Sequence, residues 1–366
     1  MIIHLLSAAF ERLASGPHDA LENLLCSYKE GKHILTAEDV RSFDSVLSDG
    51  RFSSRAKGAA KSCIAKAPEL NGLRKALPHF VEVGDSSTAH GSFYTSGPHI
   101  IMRARLDWFS DSVAVQTPLL LCENGDDSRL YMLFAEALIS RRRWKTQIAL
   151  TVRGGGGSDV AAQLRSDECA RRMLLCILDS DRKRPEGALG ATAKAALGVE
   201  MDDKALSRLE VLDCRELENL IPWPVVVECM MKPGSAQREA VAEIENARDR
   251  SAAAFWDFVD LKEGLTGYDA FSPAVDKNTR HFWLSSGLVR SHDCSEGDVR
   301  CEARRACKCV ALPGLGEAVI RRVIEHLERM SAVKLAEALK LDDAPALNRV
   351  AELVASWGCS LTPFAT

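Results

Sequence analysis

The middle of the chain alternates short apolar runs with amphipathic segments. The apolar runs predict buried strands at 118–123, 146–152, 172–178 and 208–212. Apolar residues at helical spacing follow these runs, at 127–139, from 158 onward, at 187–197 and at 216–229. Continuous apolar strands that alternate with helices are typical of a mostly parallel sheet covered by helices. The pattern therefore predicts an α/β domain at 113–230.

The two flanking regions show a helical pattern instead. In residues 1–112, Leu5, Ala8 and Leu13 fall at helical spacing, and the Gly, Ser, Thr and Pro content of 84–98 suggests a loop. We therefore expect a mostly helical accessory domain at 1–112. Helical patterns at 236–256, 315–330, 333–339 and 344–357 predict a helical C-terminal domain at 231–366.

The bulk composition narrows the class of protein. The 366 residues include 47 basic and 51 acidic side chains, a formal net charge of −4, so any contact with nucleic acid requires a local basic surface. No apolar run approaches the ~18–20 residues of a membrane span, and the N-terminus lacks the basic region of a signal peptide. These features predict a cytoplasmic protein with no membrane partner, whose 12 cysteines are reduced.

Acidic side chains lie at or just after the predicted strand ends. Glu123 closes the first strand, Asp179 and Asp181 close the third, and Glu218 follows the fourth. Asp127 stands at the start of the first helix, where it would cap the helix and face the same edge. Carboxyl ends of parallel strands share one crevice, where several carboxylates repel one another unless a cation joins them. The five acids therefore predict a Mg²⁺ or Mn²⁺ site for phosphodiester chemistry.

The order of these motifs resembles a TOPRIM domain, the metal-binding domain of topoisomerases, primases and several nucleases. The matching motifs are Leu119-Leu120-Leu121-Cys122-Glu123, Leu175-Cys176-Ile177-Leu178-Asp179-Ser180-Asp181 and Arg215-Glu216-Leu217-Glu218-Asn219. The Glu218-Asn219 pair is most similar to the nuclease branch, which includes the OLD (overcoming lysogenization defect) nucleases and their relatives in bacterial anti-phage systems. The resemblance covers about a third of the chain.

The resemblance implies a role for each matching acid. Glu123 would be the general acid/base or a metal ligand, and Asp179 and Asp181 would be metal ligands. Glu218 would serve a second ion. Asp127 matches an acid that often follows a Glu-Gly pair in the family.

The match departs from the family pattern at one position and extends to a lysine further along the chain. The family usually has glycine directly after the glutamate, whereas here Asn124 stands between Glu123 and Gly125. Lys262 resembles a lysine that follows the TOPRIM core in OLD-type nucleases, where a cation would stabilise charge that develops on the scissile phosphate.

Three basic residues follow the third strand directly. Arg182, Lys183 and Arg184 would lie at the mouth of the crevice, where they would neutralise the phosphates of a nucleic acid. The main hypothesis is thus a divalent-metal-dependent nuclease that hydrolyses DNA or RNA in bacterial anti-phage defence.

Other functions and partners stay open. OLD-type enzymes couple TOPRIM to an ATPase, and this chain shows no Walker A motif, so the resemblance implies an ATPase partner in trans. The main alternative is a non-catalytic TOPRIM-like subunit that binds nucleic acid or regulates a defence complex. A primase or topoisomerase piece is a third, disfavoured by the lack of an evident strand-passage tyrosine. The sequence leaves the oligomeric state undetermined.

A cysteine cluster interrupts the C-terminal region at 292–309. Cys294, Cys301, Cys307 and Cys309 have the spacing C-x6-C-x5-C-x-C. Four thiolates would suit tetrahedral Zn²⁺, although two C-x2-C pairs are the more familiar pattern. Unlinked thiols and a redox sensor stay open as alternatives.

Overall fold

The structure is a computed structural model that describes residues 1–11, 18–200, 206–231, 237–272, 275–288 and 309–363. Its residues fall into two compact units. Unit 1 comprises Met1–Ile177, Ala195–Glu210 and Pro345–Thr366, and unit 2 comprises Leu178–Lys194 and Val211–Ala344. The segment Pro345–Thr366 belongs to the unit that contains the N-terminus. The division into three consecutive domains stays a prediction.

The elements are numbered in chain order. The described strands are β1 (Ile2–Leu5), β2 (Ile34–Ala37), β3 (His79–Gly84), β4 (Phe93–Ser96), β5 (His99–Arg105), β6 (Leu119–Cys122), β7 (Gln147–Ile148), β8 (Thr151–Gly154), β9 (Leu174–Leu178), β10 (Ser207–Val211), β11 (Gly264–Thr266), β12 (Val310–Pro313) and β13 (Cys359–Ser360). The described helices are α1 (Ala8–Glu11), α2 (His18–Lys29), α3 (Phe43–Ser48), α4 (Ser54–Ala65), α5 (Ala67–Ala76), α6 (Gly125–Arg142), α7 (Val160–Leu164), α8 (Asp167–Arg171), α9 (Ala191–Leu197), α10 (Trp223–Met230), α11 (Arg238–Arg248), α12 (Gly267–Phe271), α13 (Lys277–Ser285), α14 (Val319–Leu327), α15 (Ala332–Leu339) and α16 (Pro345–Gly358). Short 3₁₀ segments include Leu217–Leu220 and Ala253–Phe258.

The N-terminal part of unit 1 contains a five-stranded sheet in the order β2-β1-β3-β5-β4. The β1–β2, β1–β3 and β3–β5 pairs are parallel, and the β4–β5 pair is antiparallel. All four residues of β1 and of β2 are buried. Such strands are continuous apolar runs with little alternation, as expected for a parallel sheet covered on both faces.

The prediction of a mostly helical region at 1–112 missed this sheet. Helices α4 and α5 agree with the expectation of a helical region, but Leu5 ends a strand, and Thr36 and Ala37 lie in β2. The predicted loop at 84–98 also contains β4. Four-residue apolar runs fit a helix turn as well as a strand, and only their non-local pairing decides between the two.

The second sheet of unit 1 has the order β10-β9-β6-β8 and corresponds to the predicted α/β region. β6 pairs in parallel with both β8 and β9. The N–H of Leu174 donates to Leu206 at 3.0 Å, and the N–H of Leu212 donates to Leu178 at 2.9 Å, so β9 and β10 advance in the same direction. The fold class is confirmed as α/β with a mostly parallel sheet flanked by helices.

Helix α6 links β6 to β8 and packs against α16, which also contacts β3. Their buried residues include Leu130, Phe134, Leu138, Val354 and Trp357. Each such side chain contributes about 1.5–3 kcal/mol of hydrophobic stabilisation. The predicted helix at 344–357 is confirmed, but it belongs to the core of unit 1.

Unit 2 is mostly helical and includes an antiparallel pair of strands. β11 pairs with β12, and α10 packs against α11, α14 and α15. The predicted helices at 315–330 and 333–339 are confirmed as α14 and α15. None of the described helices has both the length and the apolar character that crossing a membrane requires.

Candidate active site

A loop of unit 2 that directly follows β9 carries Asp179 and Asp181. Between them, Ser180 is fully buried, and its hydroxyl donates to the carbonyl of Cys214 at 2.6 Å. The N–H of Asp181 donates to the carbonyl of Arg215 at 2.9 Å. These bonds to the segment after β10 fix the position of both aspartates.

The chain turns sharply at Asp181, as the i, i+2 spacing of the two aspartates requires if both are to serve one site. Asp181 has a φ of 52°, a left-handed conformation that costs a non-glycine residue about 1–2 kcal/mol. A Cβ on Gly190 would overlap the Asp181 carboxylate, so only glycine leaves room for this turn. Backbone strain of this kind is concentrated at functional sites.

Asp179 is joined to the segment that carries Glu216 and Glu218. Its Oδ1 accepts the N–H of Leu217 at 2.9 Å. Asn219 stabilises the same segment, because its Oδ1 accepts the N–H of Glu216 at 2.9 Å and its amide donates to two carbonyls in the segment 256–259, each at 2.8 Å. The asparagine of the Glu218-Asn219 pair therefore holds the backbone in place.

Lys262 lies between the two glutamates. Its Nζ is 2.9 Å from Glu218 Oε1 and 3.4 Å from Glu216 Oε2. Glu218 is 2% exposed and Glu216 is 7% exposed, so both carboxylates are shielded from water, whereas the Lys262 side chain is 27% exposed. The turn that carries the lysine is anchored by Asp260, whose Oδ1 accepts the N–H of Glu263 at 2.7 Å. Backbone hydrogen bonds thus hold both the segment that carries the two glutamates and the turn that carries Lys262.

A second cation, Arg215, extends the cluster. Its Nε is 3.2 Å from Glu216 Oε1, and its Nη2 is 2.7 Å from Asp260 Oδ2. Opposite charges therefore alternate through Asp260, Arg215, Glu216, Lys262 and Glu218. A buried ion pair is tolerated only when such contacts offset the cost of desolvation.

The cluster changes the protonation behaviour of its members. Burial opposes the charge on Lys262, but the carboxylates of Glu218, Glu216 and Asp179 outweigh it and raise the pKa of the lysine well above its ordinary value. Burial raises the pKa of Glu218, an effect that Glu216 increases and Lys262 opposes. Burial and the nearby charge of Asp179 raise the pKa of the Cys214 thiol. Lys262 therefore stays an ammonium at neutral pH.

The oxygen donors of unit 2 suit Mg²⁺ or Mn²⁺ in kind, because hard cations prefer carboxylates. Within the described part of the chain, however, no group of three or more His, Cys, Asp or Glu side chains is arranged to hold a metal ion. The place between Glu216 and Glu218 is taken by the ammonium of Lys262. The metal role of Asp179 and Asp181 stays a prediction.

Glu123 and Asp127 belong to unit 1. Glu123 directly follows β6, and its carbonyl accepts the N–H of Gly157 at 3.2 Å, from the glycine-rich turn after β8. Asp127 forms a reciprocal capping box with Asn124: each side chain accepts the backbone N–H of the other, at 3.0 and 3.2 Å. Because Asn124 is the N-cap, Gly125 becomes the first residue of α6. The inserted asparagine thus gives Asp127 a structural role, and its metal role stays a prediction.

The three basic residues after Asp181 have different surroundings. Lys183 is exposed. Arg184 is held by α13, with its Nε 3.2 Å from Thr279 Oγ1 and its Nη2 3.5 Å from Asp276 Oδ1. Lys183 is therefore more available than Arg184 for contact with phosphate.

Most of the cysteine cluster cannot be assessed, because Cys294, Cys301 and Cys307 lie outside the described residues. Cys309 is half-buried and directly precedes β12. No disulfide joins the described cysteines, most of which are buried. The zinc site stays a prediction.

Sequence reasoning assigned no role to Arg215 and Asp260, and it noted Glu216 only as an acid near a strand end. The sequence Arg215-Glu216 could have indicated an ion-pair cluster, because it places opposite charges next to each other directly before the 3₁₀ segment Leu217–Leu220. No signal in the sequence pairs Arg215 with Asp260. No family model, curated protein or solved structure matches the chain.

Proposed function

We propose that this protein is a TOPRIM-type nuclease that hydrolyses phosphodiester bonds of DNA or RNA with a divalent metal ion. The observation that carries the proposal is the contact of Lys262 with Glu218 and Glu216, in a cluster to which Asp179 adds its charge. These residues come from three separate segments, and the family resemblance had named Asp179, Glu218 and Lys262 independently of any geometry. Their convergence within unit 2 supports an active site.

Each group has a distinct task in this proposal. Asp179 and Asp181 would hold Mg²⁺ or Mn²⁺, which when bound would polarise the phosphate and make an attacking water more acidic. Lys262 stabilises the negative charge that builds up on the phosphate oxygens. For Glu123 the proposal rests on the resemblance alone, which implies a general acid/base or a metal ligand. Lys183 contributes charge for the nucleic-acid backbone.

The biological setting rests on the resemblance. We propose that the nuclease acts in bacterial anti-phage defence, in the cytoplasm, with an ATPase supplied by another chain. An ATPase that raises the cleavage rate when it is added to the purified protein supports this arrangement. A full cleavage rate without any partner contradicts it.

Cleavage assays with plasmid DNA, single-stranded DNA and tRNA test the proposed activity. With Mn²⁺ and any partner that the protein requires, we expect cleavage that EDTA abolishes. The double variant Asp179→Ala/Asp181→Ala should lower the rate by ~10²-fold or more, because the metal ion loses its ligands. Glu239→Gln, which removes an exposed acid from α11, is the matched control and should cleave like the wild type. Undiminished cleavage by the double variant contradicts the site assignment.

A metal-free binding module is the second candidate. It is favoured by the internal neutralisation of Glu216 and Glu218 by Lys262, and by the lack of a preformed metal cage among the described residues. In this case nucleic acid binds equally well in Mn²⁺ and in EDTA, and no substrate of the panel is cut. Nuclease activity that depends on Mn²⁺ excludes this alternative.

A further inference from the structure

The resemblance assigns Glu218 to a second metal ion, but in the structure a lysine neutralises this carboxylate. Lys262 Nζ lies 2.9 Å from Glu218 Oε1 and 3.4 Å from Glu216 Oε2. Glu216 is also bound by Arg215 at 3.2 Å. Both glutamates therefore already have cationic partners on the protein.

A charge count favours one metal ion. Glu216, Glu218 and Asp260 are three carboxylates that alternate with two protein cations, Arg215 and Lys262. A divalent ion at Glu218 would lie within a few ångströms of the Lys262 ammonium, and like charges at that distance repel strongly in a site shielded from water. The resemblance assigns the remaining ion to Asp179 and Asp181, on the loop after β9.

Hydrogen bonds and close packing hold the backbone at Lys262 in position. The N–H of Gly316 donates to the carbonyl of Lys262 at 2.9 Å, and the N–H of Gly264 donates to that of Asp260 at 2.8 Å. A Cβ on Gly314 would overlap the Lys262 carbonyl, so the neighbouring strand approaches as closely as glycine permits. The backbone position of Lys262 is therefore fixed, and its side chain extends from that position to Glu216 and Glu218.

We propose that Lys262 takes the place of the second metal ion, so that the active site works with one divalent cation and one lysine. This inference rests on the proposed nuclease function and specifies its chemistry. During hydrolysis, the water oxygen forms a bond to phosphorus and the P–O ester bond breaks. One proton of the water passes by way of the general base to the departing oxygen, and the other stays on the new phosphate oxygen until that group ionises to solvent. Lys262 makes and breaks no covalent bond: its ammonium stabilises the charge on the phosphate oxygens.

The number of bound metal ions tests this inference without reference to activity. The full-length protein is freed of metal with EDTA, dialysed and titrated with Mn²⁺, and bound Mn²⁺ is counted by equilibrium dialysis and by the loss of the free-ion EPR signal. Only ions that are lost in Asp179→Asn/Asp181→Asn or gained in a lysine variant are assigned to the site. We expect about one Mn²⁺ for the wild type and about two for Lys262→Met, because Glu216 and Glu218 then need another cation.

Two further variants separate the effect of charge from that of side-chain shape. Lys262→Arg keeps the positive charge and should bind about one ion. The double variant Lys262→Met/Glu218→Gln removes one carboxylate with the cation, so it should also bind about one ion and stay folded even if Lys262→Met alone does not. If Lys262→Met folds only when Mn²⁺ is present, as followed by far-UV circular dichroism, a metal ion has taken the place of the lysine and the inference is supported.

Several results overturn the inference. Two Mn²⁺ ions in the wild type at this site, or one ion with unchanged affinity in Lys262→Met, make Lys262 an ordinary structural counter-ion. If such a protein still cleaves nucleic acid with Mn²⁺, the nuclease proposal survives. If neither the wild type nor any variant binds Mn²⁺ and no substrate is cut, the proposed function fails together with the inference.

Discussion

The two units bury their polar side chains in different ways. In unit 1, Arg172 is 8% exposed, and its guanidinium donates to the carbonyl of Thr117, to Thr151 Oγ1 at 2.8 Å and to Glu168 at 2.8 Å. His4 and His79 are also buried there, with lowered pKa values that keep them neutral. The cluster of unit 2 consists instead of charged groups paired with one another.

The contrast distinguishes a network with a structural role from the cluster that we propose takes part in catalysis. Arg172 donates to uncharged oxygens of Thr117 and Thr151, and these three residues lie at or just before the starts of three strands of the second sheet of unit 1. In unit 2, Lys262 is shared by two glutamates and feels a third carboxylate, Asp179. Carboxylates that outnumber their cations cost stability, and such groups are characteristic of active sites.

The largest loss of stability is expected for a variant of Arg172. Arg172→Ala removes the donor to Thr117 and Thr151 and leaves Glu168 without this partner, so we expect the free energy of unfolding to fall by about 3 kcal/mol. Guanidinium unfolding at neutral pH measures the loss. The Mn²⁺ affinity of the folded variant should stay unchanged, because the network has no part in the proposed metal chemistry.

The neighbouring arginine is the matched control for this experiment. The side chain of Arg171 is 52% exposed and pairs with Asp111 at 2.7 Å. Arg171→Ala should therefore lower the free energy of unfolding by less than about 1 kcal/mol. Equal losses in the two variants contradict the structural role assigned to Arg172.

The buried histidines predict a smaller, pH-dependent effect in unit 1. Burial, together with the charge of Arg74, lowers the pKa of His4 to about 4, below the ordinary value of about 6.5. A folded-state pKa that lies below the unfolded one means that the unfolded chain takes up the proton first. Stability is therefore complete above pH 6.5 and is lost as the pH falls from there toward 4. His4 should contribute a loss of about 1–2 kcal/mol between pH 7 and pH 5.

Urea unfolding at pH 7 and pH 5 measures this loss. His4→Gln cannot titrate and should show a correspondingly smaller drop than the wild type, whatever its stability at pH 7. His281→Gln, at an exposed position on α13, is the control and should follow the wild-type profile. If His4→Gln loses as much stability as the wild type on acidification, His4 does not carry the effect.

The sequence predicted some strands of the second sheet closely and missed others. The strands β6, β9 and β10 were predicted within one or two residues of their observed ends, since β6 and β9 are continuous apolar runs and β10 has apolar residues at alternate positions. The second predicted strand, 146–152, is divided: Gln147–Ile148 pairs with β13, and β8 begins only at Thr151. The pairing with a segment more than 200 residues away has no local signal.

The candidate site was predictable in part for the same physical reason. Asp179 and Glu218 follow strands, so the pattern and the family resemblance both identified them, and the resemblance alone identified Lys262. The contacts of Lys262 with Glu216, and of Arg215 with Asp260, join residues about 45 apart in sequence. Such pairs depend on tertiary folding, which periodicity and spacing do not encode.

The smallest effect is expected at the start of α6, where capping and metal binding compete as explanations of Asp127. Asn124→Ala removes the oxygen that accepts the Asp127 N–H at 3.0 Å and should lower the free energy of unfolding by about 1 kcal/mol. Asp126→Ala, in the same turn, loses a partly exposed pair with Arg129 and should cost less, about 0.5 kcal/mol. Asp127→Asn keeps an oxygen that can accept the Asn124 N–H, so its stability should stay within about 0.5 kcal/mol of the wild type. Because this variant preserves the cap, a weaker Mn²⁺ affinity in it identifies Asp127 as a metal ligand, and an unchanged affinity leaves it a helix cap alone.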